Sequence, residues 1–174
     1  MLLSRMKITR VFALPNKQTF KIKPIKQLIE RETKECRVIV DLFPYPFKRD
    51  ALEYAKEIKS VSVDCVLFDP PYSFHQLNIS YDNKGNKLTD SYRSDLKNEI
   101  CRILKPGGIA ISFGWNSNGI SNSRNHKYKV VRFNQYEKKR ILLVAHGAGH
   151  NDTIVTVEQK VQDSLMNHIE KSSK

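Results

Sequence analysis

The sequence predicts an α/β protein built on a Rossmann-like, mostly parallel sheet that ends in an antiparallel hairpin. Three observations carry this. Short apolar or β-branched runs alternate with amphipathic helical segments between residues 24 and 104. The last two strand-like runs, Arg140–Ala145 and Thr153–Val157, flank a glycine-containing segment, as in a hairpin with a long tip. At 174 residues the chain has the size of one domain, with room for a real core and little else. Helices interleaved with strands give a parallel sheet, and closing strands add an antiparallel end. Such sheets bind ligands outside the carboxyl ends of their strands.

The elements follow in chain order. Residues 7–14 form a short strand or lead-in. Pro24 to Glu32 reads as a helix: proline suits its first turn, and Ile25, Leu28 and Ile29 share a face. Arg37 to Val40 is a buried strand. Phe43-Pro44-Tyr45-Pro46-Phe47 cannot be regular, because its two prolines break either ladder. Asp50 to Lys59 is a helix capped by Asp50, with Leu52, Ala55 and Ile58 apolar. Val63 to Phe68 is a strand, and residues 73–90 a long polar loop. Tyr92 to Leu104 is a helix that Lys105-Pro106-Gly107-Gly108 should end as a structural turn. Ile109 to Phe113 and Tyr128 to Phe133 are further strands, separated by a Gly, Asn and Ser-rich loop. The expected domain spans residues 1–174, with a core over 6–160 and a polar tail over 161–174.

Composition narrows the function. Hydrophobic residues make up 40% and charged residues 28%, and no apolar run approaches the roughly 18–20 residues of a membrane span. The apolar part of Met1–Lys7 is too short for a signal peptide. Cys36, Cys65 and Cys101 stand singly and read as reduced thiols of a cytosolic protein. The net charge is +12, and no acidic residue precedes Glu30, while Arg5, Lys7, Arg10, Lys17, Lys21, Lys23 and Lys26 do. A second basic run comprises Arg124, Lys127, Lys129, Arg132, Lys138, Lys139 and Arg140. Such a field favours a polyanion, with nucleic acid as the expected partner.

One motif carries chemistry. Asp69-Pro70-Pro71-Tyr72 follows an apolar strand, which places Asp69 at a carboxyl end. Two prolines stiffen the backbone and offer no N–H, but their carbonyls still accept. An exocyclic amino group of a nucleobase has two hydrogens and a lone pair delocalised into the ring. The Asp69 carboxylate and the Pro70 carbonyl can accept both hydrogens and localise the lone pair toward an incoming methyl group. The Tyr72 ring can stack on the base, which must leave its duplex or already be single-stranded.

The run Val63–Tyr72 resembles the catalytic motif of S-adenosylmethionine-dependent DNA adenine methyltransferases. The stretch Arg102–Gly108 and the strand after it resemble the segment following that motif, and Ile141–Glu158 resembles the closing hairpin of small phage and bacterial members. Asn16–Ile25 is similar to their N-terminal cofactor-side motif. The resemblance covers residues 6–160. It implies a class I methyltransferase sheet, S-adenosylmethionine as cofactor, and methyl transfer to the 6-amino nitrogen of adenine in DNA. Asp69, Pro70, Pro71 and Tyr72 would be the catalytic set. Asp41, Asp50, Lys17, Thr19 and Phe20 would hold the cofactor, in the cytoplasm of a bacterial or phage-infected cell. Alternative readings are a catalytically degenerate nucleic-acid-binding relative of the same fold, or an RNA or protein methyltransferase.

The chain departs from that pattern at one place. The family has a glycine loop after the first strand, where the backbone closely approaches the cofactor. Here no glycine precedes Gly85, and Asp41-Leu42-Phe43-Pro44 runs almost directly into Asp50-Ala51-Leu52. One strand–helix unit is therefore expected to be missing, and cofactor affinity to be weak. His146 and His150, with Asp152 nearby, have metal-ligand spacing only on a helix; the glycines between them argue for a loop, so no metal is expected. Trp115, Asn116 and Asn118 form either a ligand-facing loop or a rim over the core, and Tyr81, Tyr92 and Arg93 read as surface.

Overall fold

The computed structural model describes residues 6–44, 49–71, 90–121 and 136–161. Six strands form one sheet: β1 (Lys7–Phe12), β2 (Ile39–Asp41), β3 (Val63–Phe68), β4 (Leu104–Gly114), β5 (Tyr136–Ala145) and β6 (Thr153–Lys160), in the order β1-β5-β6-β4-β3-β2. All neighbours are parallel except those of β6, which runs against both β4 and β5. This is the expected mostly parallel α/β sheet with an antiparallel hairpin. Among the described residues no strand lies outside β2.

Among the described residues three α-helices cover the sheet. α1 (Lys23–Glu32) starts with Pro24 in its first turn and buries Ile25 and Leu28. These pack with Ile22 on Cys65, Leu67, Ile111, Phe113, Leu142, Val144, Val155 and Val157, the residues of one sheet face. α2 (Ala51–Glu57) and α3 (Asp90–Ile103) cover the other face, where Ala51, Ala55, Leu96, Ile100 and Ile103 meet Val40, Val66, Phe68 and Ala110. The two-residue alternation of β3 serves both cores: Cys65 and Leu67 point to α1, Val66 and Phe68 to α2 and α3. Each fully buried Leu or Ile adds about 1.5–3 kcal/mol.

Three details differ from expectation. β2 is shorter than Arg37–Val40, because Arg37 and Val38 give their N–H groups to the Asp64 carboxylate at 3.0 and 2.8 Å. Lys105-Pro106-Gly107-Gly108 is no helix-ending turn: α3 stops at Ile103, and these residues bulge out of β4. Val63 pairs with Leu104 and Cys65 already with Ile109. Gly107 has φ 79°, and a Cβ on Gly108 would lie 2.9 Å from the Lys105 carbonyl oxygen, so the bulge needs both glycines. Lys105 Nζ, 2.6 Å from Asp64 Oδ1, closes it and holds the Asp64 carboxyl below its usual range. β5 and β6 extend beyond the expected spans, to Tyr136 and Lys160. The expected strand Tyr128–Phe133, the loop 73–90 save its last residue, Tyr81, and the basic residues 124–132 lie outside the described residues.

Among the described residues no cysteine forms a disulfide. Burial pushes the Cys36 and Cys65 thiols up, which keeps them protonated and poorly nucleophilic.

Two buried hydroxyls lack a partner among the described residues. Ser112 on β4 and Thr156 on β6 pair across the strands on the α3 side, and neither hydroxyl has a hydrogen bond. A fully buried, unpaired hydroxyl costs about 1–3 kcal/mol. Thr156→Val keeps the shape and removes that cost. It should stabilise the protein by about 1 kcal/mol, read as a higher urea midpoint. A lower midpoint would show that the hydroxyl has a partner.

Candidate active site at the carboxyl rim of the sheet

Because β1 to β5 all point the same way, their carboxyl ends share one rim with the start of β6. Five described connections emerge there: 13–22 after β1, 42–44 after β2, 69–71 after β3, 115–121 after β4, and the hairpin tip 146–152. Asp41, Asp69, Pro70, Pro71, Lys17, Thr19, Phe20, Trp115 and His146 lie on these connections or end the strand before them, whereas Asp50 caps α2 and Tyr92 lies in α3.

Asp69, Pro70 and Pro71 leave the end of β3, half-buried, directly after the buried Phe68. Tyr72 lies outside the described residues. Phe68 and Ser112 are the last pair of β3 and β4; Asp69-Pro70-Pro71 leave the sheet there, while Phe113 and Gly114 stay paired with β6 and Trp115 is the first residue past β4.

Asp41 ends β2 on the other side of β3, opposite Leu67. It is half-buried, and its Oδ1 accepts the Phe43 N–H at 2.9 Å. Burial pushes its carboxyl above the usual range, and the Phe43 bond pulls it partly back. After Asp41 the chain turns into the core. Leu42 is fully buried, and the Phe43 ring rests on Phe68 at 6.0 Å between centroids.

Asp50 has a different setting. Its Oδ1 accepts the N–H groups of Leu52 and Glu53, each at 2.9 Å, which caps α2, and its Oδ2 accepts the Tyr92 hydroxyl at 3.2 Å. Tyr92 is therefore no surface residue. It packs on the α2–α3 core, and burial pushes its phenol upward.

On the segment after β1, Lys17 is exposed, and Thr19 opens a short 3-10 turn, Thr19–Lys21. Phe20 packs against Phe113, with ring centroids 5.0 Å apart. Lys17 and Thr19 thus reach the rim, whereas Phe20 ties the segment to the α1-side core. His146 fixes the hairpin root. Its Nδ1 lies 2.8 Å from the Ala13 carbonyl, which can only accept, so Nδ1 carries the proton and Nε2 accepts from Thr153 Oγ1 at 3.0 Å. Among the described residues no group of three His, Cys, Asp or Glu could hold a metal.

Sequence reasoning missed Glu158. It is fully buried on β6 and reaches across to the loop after β4. Its Oε2 accepts from Ile120 N at 2.6 Å and Ser121 N at 3.3 Å, and its Oε1 from the Ser121 hydroxyl. An acidic residue inside an otherwise apolar strand is the available signal, but its partners are 37 and 38 positions away. Burial pushes its carboxyl above the ordinary value of 4.5. Folding then takes up a proton between 4.5 and the raised value, so this group's contribution to stability falls as pH rises through that window. Glu158→Gln should remove that slope. Unfolding free energies measured across pH 4 to 8, roughly the range of carboxylate and histidine titration, should differ between the two proteins in pH dependence. Parallel profiles would refute the linkage.

No family model and no curated protein matches the chain. Solved structures similar to it include a provisionally described DNA modification methylase of Thermus thermophilus, with TM-score 0.39 and 16% identity over 72% of this chain and 54% of that one. The N-methyltransferase NodS of Bradyrhizobium japonicum has TM-score 0.45 and 8% identity over 91% of this chain and 88% of that one. A SAM-dependent methyltransferase of Methanosarcina mazei has TM-score 0.41 and 13% identity over 92% and 95%, respectively. The chain spans about half the length of the Thermus protein. No described helix is long and apolar enough to cross a membrane.

Proposed function

We propose that the chain transfers a methyl group from S-adenosylmethionine to the 6-amino nitrogen of adenine in DNA. The observation that carries this reading is the placement of Asp69-Pro70-Pro71 at the carboxyl rim, on a strand buried on both faces. Asp69 accepts one amino hydrogen and the Pro70 carbonyl the other. The nitrogen lone pair is thereby freed from the ring, and in this reading the Asp69 carboxylate takes the proton that the amino group loses as its new N–C bond forms. Tyr72 stacks on the base. When bound, the cofactor would supply an electrophilic methyl carbon and would keep, as a neutral thioether, the sulfur whose bond to that carbon breaks.

The residues present suit the cofactor at one end. Asp41, half-buried beside the strand of Asp69, offers a carboxylate oxygen to ribose hydroxyls, whereas Lys17 and Thr19 lie on the connection after β1, the strand at the opposite edge of the sheet from β2. Asp50 already serves as a helix cap, and Phe43 fills core space. The glycine-free turn after β2 therefore supports weak cofactor binding. Incubation with methyl-tritiated S-adenosylmethionine and adenine-containing DNA, and in parallel with RNA, followed by nuclease digestion, tests the proposal. Label in 6-methyladenine is the expected result; label only in RNA or protein, or none at all, overturns it.

The +12 charge supports DNA as the polyanion. Affinity should fall with salt, with a log–log slope of about −0.9 for each phosphate neutralised on duplex. A flat salt response would exclude nucleic acid.

A further inference from the structure

The connection after β4 carries the only tryptophan of the chain, Trp115, at 55% exposure. We propose that Trp115 is a stacking platform for a nucleobase of the substrate strand, and that Glu158 is the positioning residue that fixes its loop. This rests on the nucleic-acid reading above and assigns it a further contact.

Three features of the loop support the proposal. The first is place. Trp115 is the first residue past β4 and Asp69 the first past β3, and these two strands are parallel neighbours, about 4.8 Å apart where they pair, up to Phe68 and Ser112. A base held at Asp69 has its neighbours along the strand within reach of that indole.

The second is rigidity. The loop is held from beneath at several points. Ile120 and Ser121 are bound by Glu158; Lys97 Nζ donates to the Gly119 carbonyl at 2.7 Å; Lys138 Nζ donates to the Ser117 carbonyl at 2.5 Å. Ile120 is fully buried and plugs the α3-side core. Burying a carboxylate is costly unless its hydrogen bonds are met. Here that cost is offset by bonds that all serve this loop. A preorganised aromatic loses little freedom on stacking.

The third is charge. An exposed indole on a protein of net charge +12 suits a polyanion that also offers flat rings. Stacking with aromatic side chains and phosphate attraction are the two terms of single-strand binding.

The single tryptophan makes the test direct. A fluorescently labelled, adenine-containing single-stranded oligonucleotide is titrated with the protein, and anisotropy and indole emission are followed. Emission should be quenched on binding. Trp115→Ala should weaken binding about 5- to 100-fold, and Trp115→Phe should recover most of it. Glu158→Gln should raise acrylamide quenching of Trp115. It should also weaken binding when Trp115 is present but not in the Trp115→Ala background; a purely structural role would weaken both alike. If Glu158→Gln fails to fold, the Trp115 variants alone decide the stacking role. Binding with unquenched emission and an unaffected Trp115→Ala overturns the proposal and leaves the methyltransferase reading standing. Quenching by S-adenosylmethionine alone, with none from the oligonucleotide, also overturns it and reassigns Trp115 to the cofactor. Absence of any oligonucleotide binding overturns both readings. Loss of methyl transfer with binding and quenching intact sinks the transferase reading and upholds the stacking role.

Discussion

Asp69→Ala is expected to lower methyl transfer by about a hundred- to a thousandfold, the loss found when a preorganised polar group is removed from a reacting centre. The amino group of adenine is a poor nucleophile because its lone pair belongs to the ring. Only acceptors placed before the reaction begins can hold the two hydrogens in the geometry that frees it. Alanine leaves the Pro70 carbonyl in place, which accepts one hydrogen and cannot take the proton away. Asp69→Asn keeps one acceptor in its amide oxygen but loses the base that takes the proton, so its activity should lie between those of wild type and Asp69→Ala. The fold should survive, because the strand is held by Cys65, Val66, Leu67 and Phe68, all buried, and Asp69 lies past its end. Transfer of tritium to DNA, with a thermal melt on the same preparation, checks both halves. Wild-type-like turnover by a folded Asp69→Ala protein would remove Asp69 from the chemistry.

What could be read in the sequence was local. Val63–Phe68 is a strand with the expected ends because its period and its apolar run agree. Asp50 caps α2 as the residues after it suggest, and Pro24 opens α1. The same Asp50 illustrates the limit. A cap and a cofactor ligand demand the same residue type at the same kind of turn, and only the N–H groups of Leu52 and Glu53 at 2.9 Å show how its Oδ1 is used. Likewise Phe43 looks like an obstruction in the sequence, but it belongs to the core against Phe68. The bulge at Lys105–Gly108 was illegible because Lys-Pro-Gly-Gly also ends helices, and the choice is made by Asp64 and Gln159, which bind Lys105 and the Gly107 carbonyl from other strands. Glu158 was illegible for the same reason, since its purpose exists only once β6 lies beside the loop from β4.

Gly119→Ala is expected to destabilise the protein by about 3 kcal/mol, from two causes that add. Gly119 has φ 62°, in the left-handed region, where a Cβ costs roughly 1 kcal/mol. That Cβ would also overlap both carboxylate oxygens of Glu158. Glu158 cannot swing aside cheaply, because it is fully buried and moving it would strand a carboxylate away from Ile120 N and Ser121 N. Overpacking of this kind costs about 1–3 kcal/mol. The contrast that isolates the second cause is Gly114→Ala, where an added Cβ meets nothing closer than 3.9 Å, at the Asn116 carbonyl oxygen. Denaturant unfolding should place Gly114→Ala near the wild type and Gly119→Ala well below it. The partner of the clash can be tested too. Glu158→Ala removes the carboxylate that the new methyl would strike, so adding Gly119→Ala in that background should cost only the backbone share, about 1 kcal/mol. Equal losses in both backgrounds would show that Glu158 does not lie against Gly119, and the anchoring of the Trp115 loop would have to be sought in Lys97 and Lys138 alone.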